Sequence, residues 1–295
     1  MTFQEGGNFD AGRVRRRGPG KGGVAVGGGI GGIAVVALIL ILNATGNPEL
    51  ANVVNQVAGG GGGGQQAEST LPACTAAEAN SDRECRLEGT IESLDTYWAA
   101  TVPTAFSQPG VLSFQKAVDT GCGSASSASG PFYCPPDKTI YLDVSFYDDL
   151  ESQLGADDGP LAEEYVTAHE YGHHIQALTG VMDKADRQGT GADSDSVRTE
   201  LQADCYAGLW VGAATETIDP DTGKPFLEPI TQEQLQNALG AAAAVGDDHI
   251  QKQSGGGVNP DAFTHGTSAQ RERWFTTGYE KGTLDACDTF AADTL

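Results

Sequence analysis

The sequence predicts an α+β domain that is mostly helical, contains a small sheet and is preceded by a single transmembrane helix. Residues 111–118 and 138–145 have the composition of strands. The later segments carry helix-capping signals, so helices follow the strands instead of alternating with them. Residues 24–42 form an apolar run without a single charge, close to the N-terminus.

The apolar run at residues 24–42 predicts a membrane anchor. Its 19 residues would extend roughly 28 Å as a helix, close to the thickness of the hydrocarbon core of a bilayer. Basic residues before it predict an N-terminus in the cytoplasm and a domain outside it. These residues are Arg13, Arg15, Arg16, Arg17 and Lys21. A cleaved signal peptide of the same polarity is the alternative, although no A-x-A cleavage motif follows.

The anchor divides the chain into four expected parts. Residues 1–23 are expected to be a basic, glycine-rich cytoplasmic tail, and residues 24–42 to cross the lipid bilayer of the cell membrane in a single pass. Residues 43–70, which include six consecutive glycines, are expected to be a flexible linker. Residues 71–295 are expected to fold as one extracytoplasmic domain, since about 220 residues are a normal size for a single domain.

The six cysteines all lie after the apolar run, which predicts disulfide bonds in an exported domain. Sequence proximity favours three pairs, namely Cys74 with Cys85, Cys122 with Cys134 and, by elimination, Cys205 with Cys287. Buried free thiols are an alternative. A thiolate zinc site is disfavoured because the sequence contains no C-x-x-C motif.

The chain is strongly acidic, with 40 acidic and 17 basic residues and a net charge of −23. The part after the apolar run holds 38 acidic and 12 basic residues, hence a net charge of −26. A charge of this sign argues against nucleic acid or another anionic polymer as a partner. Solubility or a saline habitat would explain the acidic composition equally well.

Local signals predict where the first helices begin and end. Residues 90–102 are predicted to form a helix that Pro103 ends. Residues 145–148, SFYD, have the pattern of a capping box that opens a short helix. A long helix is predicted from Pro160, in its first turn, to Gly180, just past its end.

Three further helices are predicted in the second half of the chain. Residues 193–212 are expected to form a second long helix. Thr231 caps a third, which is expected to run through an alanine-rich segment towards Gln253, and Thr267 caps a fourth.

The first long helix contains the motif His-Glu-x-x-His at residues 169–173. Residues four apart lie on one face of a helix, so His169 and His173 can bind one zinc ion. Glu170 can reach a water molecule on that metal without being a ligand. His174 is rotated roughly 140° from His169 and is expected to be a neighbour with a packing or supporting role. A chance match in a helix with solvated histidines is the alternative.

A catalytic zinc ion needs a third protein ligand and an open position. No further histidine follows at a suitable spacing, so we expect a glutamate from a later helix. Glu200 is the candidate, 27 residues after His173, which leaves room for a loop and a return helix. Asp204, one turn further on, is expected to accept the second N–H of a ligating histidine. A solvated acidic face is the alternative for both carboxylates.

Residues 169–176 (HEYGHHIQ) and 200–208 (ELQADCYAG) are similar to those of the bacterial family of putative neutral zinc metallopeptidases. Residues 130–143 (GPFYCPPDKTIYLD) and 264–275 (THGTSAQRERWF) extend the resemblance, as does the basic tail with its apolar run. The resemblance covers nearly the whole chain, with several motifs in the same order. It implies a zincin-like catalytic domain of the gluzincin type, a zinc metallopeptidase with one Zn²⁺ per chain.

The second motif also resembles the E-x-x-A-D helix of membrane-linked prenyl-protein endopeptidases. In those enzymes the first glutamate of the motif is the third metal ligand, and it corresponds to Glu200. Their His-Pro-x-x-x-x-Arg segment is similar to the segment from His265 to Arg271, although Gly266 stands where those enzymes have proline.

Together these residues predict a membrane-anchored, extracytoplasmic zinc peptidase with a peptide or protein substrate. Glu170 is expected to be the general base. His265 is expected to stabilise the oxyanion, with Arg271 orienting it or adding charge. A loop histidine without a role and a structural salt bridge are the respective alternatives. Residues 138–145 are either an edge strand that binds the peptide backbone or an ordinary core strand.

Two other functions are compatible with the sequence. One is a catalytically silent scaffold or binding protein of the cell envelope that zinc only stabilises. Glu170 argues against it, because a structural site has no need of a base. The other is a zinc amidase acting on a non-peptide amide such as a cell-wall bond, for which the sequence offers no carbohydrate-binding signal.

Overall fold

The computed structural model describes residues 2–18, 68–156, 159–255 and 257–295 of the chain. These residues form an α+β fold with nine α-helices and small sheets, as predicted, but the transmembrane helix that was predicted with this fold is not found among them. The helices are α1 (Ala76–Ala79), α2 (Arg83–Thr101), α3 (Phe146–Leu154), α4 (Pro160–Leu178), α5 (Val181–Lys184), α6 (Asp195–Ala214), α7 (Gln232–Ala244), α8 (Asp247–Gln253) and α9 (Ser268–Lys281).

The largest sheet has five strands in the order β3–β2–β5–β9–β8. Its strands are β2 (Arg15–Arg17), β3 (Glu68–Thr70), β5 (Gly110–Phe114), β8 (Phe132–Cys134) and β9 (Thr139–Leu142). Strands β2, β5 and β9 are parallel, and β3 and β8 run antiparallel to their neighbours at the two edges. The proposal that residues 138–145 form an edge strand is therefore wrong, because β9 is paired on both sides. The edge beside it is β8.

Helix α4 lies at the centre of the domain. It packs against α2, α6 and α7, and 15 of its 19 residues are buried. A helix that is buried on nearly all sides has little contact with water. Its charged side chains therefore need partners within the protein. The predicted boundary signals are confirmed, since Pro160 lies in the first turn and Gly180, with φ of 76°, follows the end of the helix.

The N-terminal segment, residues 2–18, is part of this domain. Phe3, Phe9 and Val14 are at most 2% exposed and lie in the main hydrophobic core. Strand β2, the run of arginines Arg15–Arg17, pairs in parallel with the central strand β5. A second small sheet joins β1 (Asn8–Phe9) to β4 (Cys74–Thr75).

Polar contacts also tie the N-terminal segment to helices of the domain. Arg13 Nε donates to Asp95 Oδ2 on α2 at 2.6 Å, and the hydroxyl of Tyr171 on α4 donates to the other oxygen of that carboxylate at 2.6 Å. The Thr2 hydroxyl donates to Glu164, also on α4. Burial raises the pKa of Glu164 to about 8, so this carboxyl is largely protonated at neutral pH. The segment thus contacts the helix that carries the His-Glu-x-x-His motif.

These contacts correct the predicted membrane topology. Residues 2–18 pack into the same domain as the later part of the chain, so both lie on the same side of any bilayer. A single crossing at residues 24–42 would separate them, so the single-pass arrangement with a cytoplasmic tail and an extracytoplasmic domain is wrong. No helix in the described part of the chain is long and apolar enough to cross a membrane. Residues 24–42, and nearly all of the expected linker at 43–70, lie outside the described residues.

One predicted strand is divided in the structure. Strand β5 ends at Phe114, and β6 (Ala117–Thr120) pairs with β7 (Gly123–Ser126) in a separate hairpin. Lys116 lies between them with φ of 72°. This left-handed conformation is rare for a residue with a side chain and ends the extended run. The predicted strand at 111–118 is therefore too long.

The helix predicted from Thr231 towards Gln253 is divided into α7 and α8. Gly246 is extended between them, with φ of −68° and ψ of 140°. The capping boxes at Thr231 and Thr267 are confirmed. The one predicted at Ser145 is wrong, because the Ser145 hydroxyl donates to Asp143 instead of capping α3.

The predicted disulfide pairing is confirmed in full. The bonds join Cys74 to Cys85, Cys122 to Cys134 and Cys205 to Cys287. The last of these spans 82 residues and attaches the C-terminal segment to α6. Closing so long a loop removes much conformational freedom from the unfolded chain.

Helices α6 and α9 cross at very short range. A Cβ atom on Gly208 would lie 2.0 Å from the carbonyl oxygen of Phe275, and one on Gly278 would lie 2.0 Å from that of Cys205. Both distances are far below van der Waals contact, so only glycine fits at either position. The close crossing brings the N-terminal part of α9 alongside Asp204 on α6.

The packing of the N-terminal segment can be tested with Phe3→Ala. Removing this fully buried ring should lower the free energy of unfolding by about 3–5 kcal/mol, because it leaves a cavity in the core. Urea denaturation of the full chain measures the change. Val258→Ala is the control, since Val258 is 42% exposed and its truncation should cost at most about 0.5 kcal/mol. Equal effects of the two substitutions would contradict the place of residues 2–18 in the fold.

Candidate active site

Helices α4 and α6 bring two histidines and a glutamate together. His169 and His173 lie one turn apart on α4, and Glu200 lies on α6. One potential ligand atom from each side chain lies within 4.8 Å of the other two. Glu200 Oε2 is 3.2 Å from His169 Nε2, and Glu200 Oε1 is 3.5 Å from His173 Nε2. The structure thus assembles the three side chains that the sequence indicates as metal ligands.

A buried network of charges supports His169 from the other side of its ring. His169 Nδ1 is 2.7 Å from Asp204 Oδ1. Arg271 donates to both oxygens of Asp204, through Nε and Nη2, at 2.8 Å each. The Tyr165 hydroxyl also donates to Asp204, at 2.6 Å. Because Asp204 accepts only, Nδ1 of His169 is a donor, and Nε2 faces Glu200 and remains the atom that could bind a metal ion.

The charges of this network explain its titration behaviour. Burial disfavours a charge on Asp204, but Arg271 and His169 hold the pKa of this carboxyl below its usual range. Burial likewise disfavours a charge on His169, but the carboxylates of Asp204 and Glu200 outweigh it and raise the pKa of the imidazole to about 10. The carboxylates of Asp204 and Glu200 therefore favour a positive charge at His169.

His173 is oriented by an amide instead of a carboxylate. Its Nδ1 is 2.8 Å from Gln176 Oε1. The Gln176 amide nitrogen donates to the carbonyl of Thr199 at 2.7 Å and to Gln202 Oε1 at 3.1 Å. The amide nitrogen of Gln202 then donates to the carbonyl of Cys287 at 3.0 Å. The imidazole of His173 is thus oriented by a series of hydrogen bonds between amide and carbonyl groups. The series ends at Cys287, in the disulfide-linked C-terminal segment.

His174 lies apart from the cluster. Its Nε2 donates to the carbonyl of Ser107 at 2.7 Å, and its Nδ1 accepts from the Tyr133 hydroxyl at 3.1 Å. Burial lowers the pKa of this imidazole. The helical spacing therefore directs the two adjacent histidines to different surroundings, as the sequence predicts. His174 links α4 to strand β8 and to the loop between α2 and β5.

Glu170 is the carboxylate beside the two histidines. It lies on the same helix, is 8% exposed and lines the cavity that borders the cluster. No described residue forms a hydrogen bond or an ion pair with it, in contrast to the carboxylates of Glu200 and Asp204. A buried carboxylate without a partner is costly, so Glu170 is available to a molecule in the cavity.

His265 lies in the loop before α9 and also lines the cavity. Asp247 holds this loop, because its Oδ2 accepts the backbone N–H groups of Thr264, His265 and Gly266 at 2.7–2.9 Å. The other oxygen of Asp247 is 3.4 Å from His265 Nδ1, and the Thr264 hydroxyl is 2.9 Å from it. Burial would lower the pKa of His265, but Asp247 and Glu200 raise it. The His265 side chain is 38% exposed, so its ring can reach a bound molecule.

Arg271 occupies a different place from the one that the sequence suggests. It is 3% exposed, and its guanidinium is committed to Asp204 and, at longer range, to the Tyr165 hydroxyl and the Val245 carbonyl. Among the described residues no hydrogen bond joins Arg271 to His265. Its contacts match the alternative of a structural salt bridge, in which Arg271 supports Asp204 and, through it, His169.

A cavity of about 520 Å³ borders the cluster. It is lined by Glu170 and His265 together with the three side chains of the cluster, and by the segment 127–133, which leads into the edge strand β8. This volume lies in the range of sites that enclose most of a small ligand or a few residues of a peptide.

Three supporting residues were missed in the sequence. Gln176 lies three residues after His173, a spacing that places both on one helix face, so the helical period alone could have indicated it. Asp247 and Tyr165 are distant in the chain from the residues that they contact. Only the division of α7 from α8 places Asp247 under the loop of His265.

The donor set fits a zinc ion. Two imidazole nitrogens and one carboxylate are a known ligand set of catalytic zinc, and both ring Nδ1 atoms are engaged by oxygen acceptors, as is usual for metal-binding histidines. Ligands about 2.0–2.1 Å from a tetrahedral ion lie roughly 3.3 Å apart. The distances of 3.2 and 3.5 Å between Glu200 and the two Nε2 atoms agree with this spacing.

The fold and the site therefore define a protein with a His-Glu-x-x-His motif whose two histidines, together with a glutamate from a second helix, could hold a metal ion. Comparison with known families agrees. The family described as putative neutral zinc metallopeptidases matches residues 2–290, and the chain belongs to this family.

Two relatives show how far the similarity extends. An uncharacterized protein of Mycobacterium tuberculosis is 51% identical over 221 residues, which are 75% of this chain and 75% of the relative. The uncharacterized protein YpfJ of Escherichia coli is 35% identical over 300 residues, which are 96% of this chain and 97% of the relative. No solved structure matches the chain.

The role of the buried network can be tested with Asp204→Asn. The substitution leaves Arg271 buried without a counter-charge, so the free energy of unfolding should fall by about 3–5 kcal/mol. The affinity for zinc should fall about 10- to 100-fold, because His169 loses its carboxylate acceptor. Urea denaturation in the presence of a chelator and zinc titration measure the two effects separately.

The double variant Asp204→Asn/Arg271→Gln separates stability from metal binding. It contains no unpaired buried charge, so much of the lost stability should return while the affinity for zinc stays low. Full recovery of the affinity would show that Asp204 affects the metal site only through folding.

Proposed function

We propose that this protein is a zinc-dependent peptidase that hydrolyses peptide bonds. One Zn²⁺ per chain would be held by His169, His173 and Glu200. The observation that carries the proposal is Glu170, a buried carboxylate without a partner among the described residues, placed on the cavity beside the three ligands. A structural metal site has no use for such a group, whereas hydrolysis needs a base at this position.

Each residue of the site has a distinct part in the proposed reaction. When bound, zinc supplies a Lewis acid for a carbonyl and lowers the pKa of a coordinated water molecule. The carboxylate of Glu170 takes a proton from the attacking water and transfers it to the nitrogen of the leaving amine. Asp204 and Gln176 hold the two imidazoles by their Nδ1 atoms.

His265 is proposed to stabilise the negative charge that develops on the carbonyl oxygen. Asp247 and Thr264 engage its Nδ1 and leave Nε2 for the substrate. Asp247 raises the pKa of His265 against the effect of burial, which favours the protonated ring and with it an N–H on Nε2. Arg271 acts at a distance from this oxygen, as the partner of Asp204.

The peptide backbone is proposed to lie along β8. This strand is at the edge of the sheet, and Phe132 and Tyr133 from it line the cavity. An edge strand presents unpaired N–H and C=O groups that an extended peptide can join. We therefore propose for β8 the substrate-binding role that the sequence suggests for residues 138–145.

Glu170→Gln is the decisive substitution. The amide keeps the shape of the side chain but cannot accept a proton, so peptide hydrolysis should fall at least about 100-fold while one zinc per chain is retained. His169→Ala and Glu200→Ala should lose the metal itself. A mixed peptide library, analysed by mass spectrometry with and without a chelator, measures hydrolysis, and metal analysis measures zinc.

Glu280→Gln is a matched control, because Glu280 is exposed on α9 and its replacement should leave both readings unchanged. Hydrolysis that survives in Glu170→Gln would remove Glu170 as the base. A zinc-loaded wild-type protein that cleaves no peptide would overturn the proposal and favour the scaffold or the amidase.

A further inference from the structure

Part of the cavity lining is apolar. Five apolar side chains of neighbouring helices in this lining are called the apolar end below; they are Phe146, Leu154, Val166, Val245 and Ile250. They come from α3, α4, the end of α7 and α8. All but Leu154 keep part of their surface exposed. Apolar surface left accessible inside a cavity is free to be covered by an apolar ligand group.

Contacts between the helices hold these side chains together. His249 Nε2 on α8 donates to the carbonyl of Leu154 on α3 at 3.0 Å. The carbonyl of Val245 is 3.4 Å from Nη1 of Arg271. Helix α7, which ends just before Val245, packs against both α3 and α4. The elements that carry the apolar end are therefore joined by these contacts, one of which is made by the buried Arg271.

The apolar end lies one helical turn from the proposed base. Val166 precedes Glu170 by four residues on α4, a distance of roughly 6 Å along the helix axis. An extended peptide advances roughly 3.3 Å per residue. The side chain next to the bond under attack is therefore within reach of the apolar end.

We infer that the apolar end is a specificity pocket for an aliphatic or aromatic side chain adjacent to the cleaved bond. The inference rests on the proposed peptidase function. Each methylene group in such a pocket changes kcat/KM by about 10-fold or more. Peptides with leucine or phenylalanine at this position should therefore be cleaved at least about 100-fold more efficiently than peptides with glycine.

Val166→Thr tests the pocket with little change of shape. The added hydroxyl should lower kcat/KM for the leucine peptide about 10-fold and leave the glycine peptide unchanged. Val181→Thr is the matched control, since Val181 has similar exposure but does not line this cavity. As a second variant, Ile250→Ala should enlarge the pocket and raise the ratio of phenylalanine to leucine cleavage several-fold. Zinc content, measured for every variant, should stay at one per chain.

The outcomes separate this inference from the proposed function. Two outcomes would overturn the specificity pocket but not the peptidase function. One is zinc-dependent cleavage without a preference for apolar side chains. The other is an equal loss of kcat/KM for both peptides in Val166→Thr at full zinc content. The absence of any zinc-dependent cleavage by the wild type would overturn the peptidase function and the pocket with it.

An independent observation concerns a charged side chain on the cavity. Arg187 lies in the loop between α5 and α6, is exposed and lines the cavity. The Ser196 hydroxyl donates to the carbonyl of Gly189 at 2.7 Å, which holds this loop one turn before Glu200 on α6. Of the two arginines on the cavity, Arg271 is paired with Asp204, whereas no described residue forms an ion pair with Arg187.

The geometry points to Arg187 as the binding group for a carboxylate of the peptide substrate, either an acidic side chain or the C-terminus. A guanidinium binds a carboxylate through two parallel hydrogen bonds, which gives direction as well as charge. This inference also rests on the proposed function. It predicts a substrate peptide that places an apolar side chain at the apolar end of the cavity and a carboxylate at Arg187.

Arg187→Gln tests the carboxylate site with two pairs of peptides. One pair differs by glutamate against glutamine, and the other by a free against an amidated C-terminus. The substitution should lower kcat/KM about 10-fold for the carboxylate member of one pair only, which identifies the source of the carboxylate, and should spare the neutral peptides. Lys184→Gln is the charge-matched control, because Lys184 lies three residues away and outside this cavity. Unchanged selectivity in Arg187→Gln, or an equal change in Lys184→Gln, would overturn the assignment.

Discussion

The ion pair between Asp204 and Arg271 is the interaction on which the site depends. Both side chains are buried, at 0% and 3% exposure, so neither charge is solvated by water and each needs the other. The pair joins α6 to α9, and His169 extends it to α4. The glycines at the crossing of α6 and α9 allow the two helices to approach closely enough for the pair to form. A change anywhere in this chain of contacts moves His169, one of the three side chains that could bind a metal ion.

The polar groups around the site are almost all satisfied, and this makes Glu170 an exception. Asp204 has three partners, Glu200 faces two imidazoles, and even His174 is bound at both nitrogens. Glu170 lies in the same buried helix without a described partner. A protein core tolerates such a group mainly where a ligand or a reaction completes it, so the departure from the packing rule coincides with the proposed chemistry.

The N-terminal segment changes how the whole chain is understood. Its arginines look like the basic flank of a membrane anchor, yet Arg15–Arg17 form a strand inside the main sheet and Arg13 binds Asp95. The family match, which begins at residue 2, agrees with a segment that belongs to the domain. A short basic run beside an apolar one has the same composition whether it flanks a membrane anchor or forms a strand of the domain. Only its partners in the fold, distant in the sequence, distinguish the two.

The sequence by itself determined what depends on local spacing. Four-residue periodicity selects His169 and His173 and turns His174 away, and Pro160, Gly180, Thr231 and Thr267 mark helix ends by local hydrogen bonds and dihedral preferences. Two of the disulfide pairs follow from short separations in the chain, and the third follows by elimination. Glu200 and Asp204 are also recognisable, because they share one turn of one helix.

The tertiary structure alone decided which distant groups meet. It places β9 inside the sheet and β8 at its edge, moves Arg271 from His265 to Asp204, and sets Asp247 beneath the loop of His265. None of these pairings has a spacing that can be read along the chain, since strand order and helix crossings arise from the packing of the whole core. The apolar end of the cavity and the place of Arg187 on it have the same origin, because these side chains converge only when α3, α4, α6, α7 and α8 are packed together.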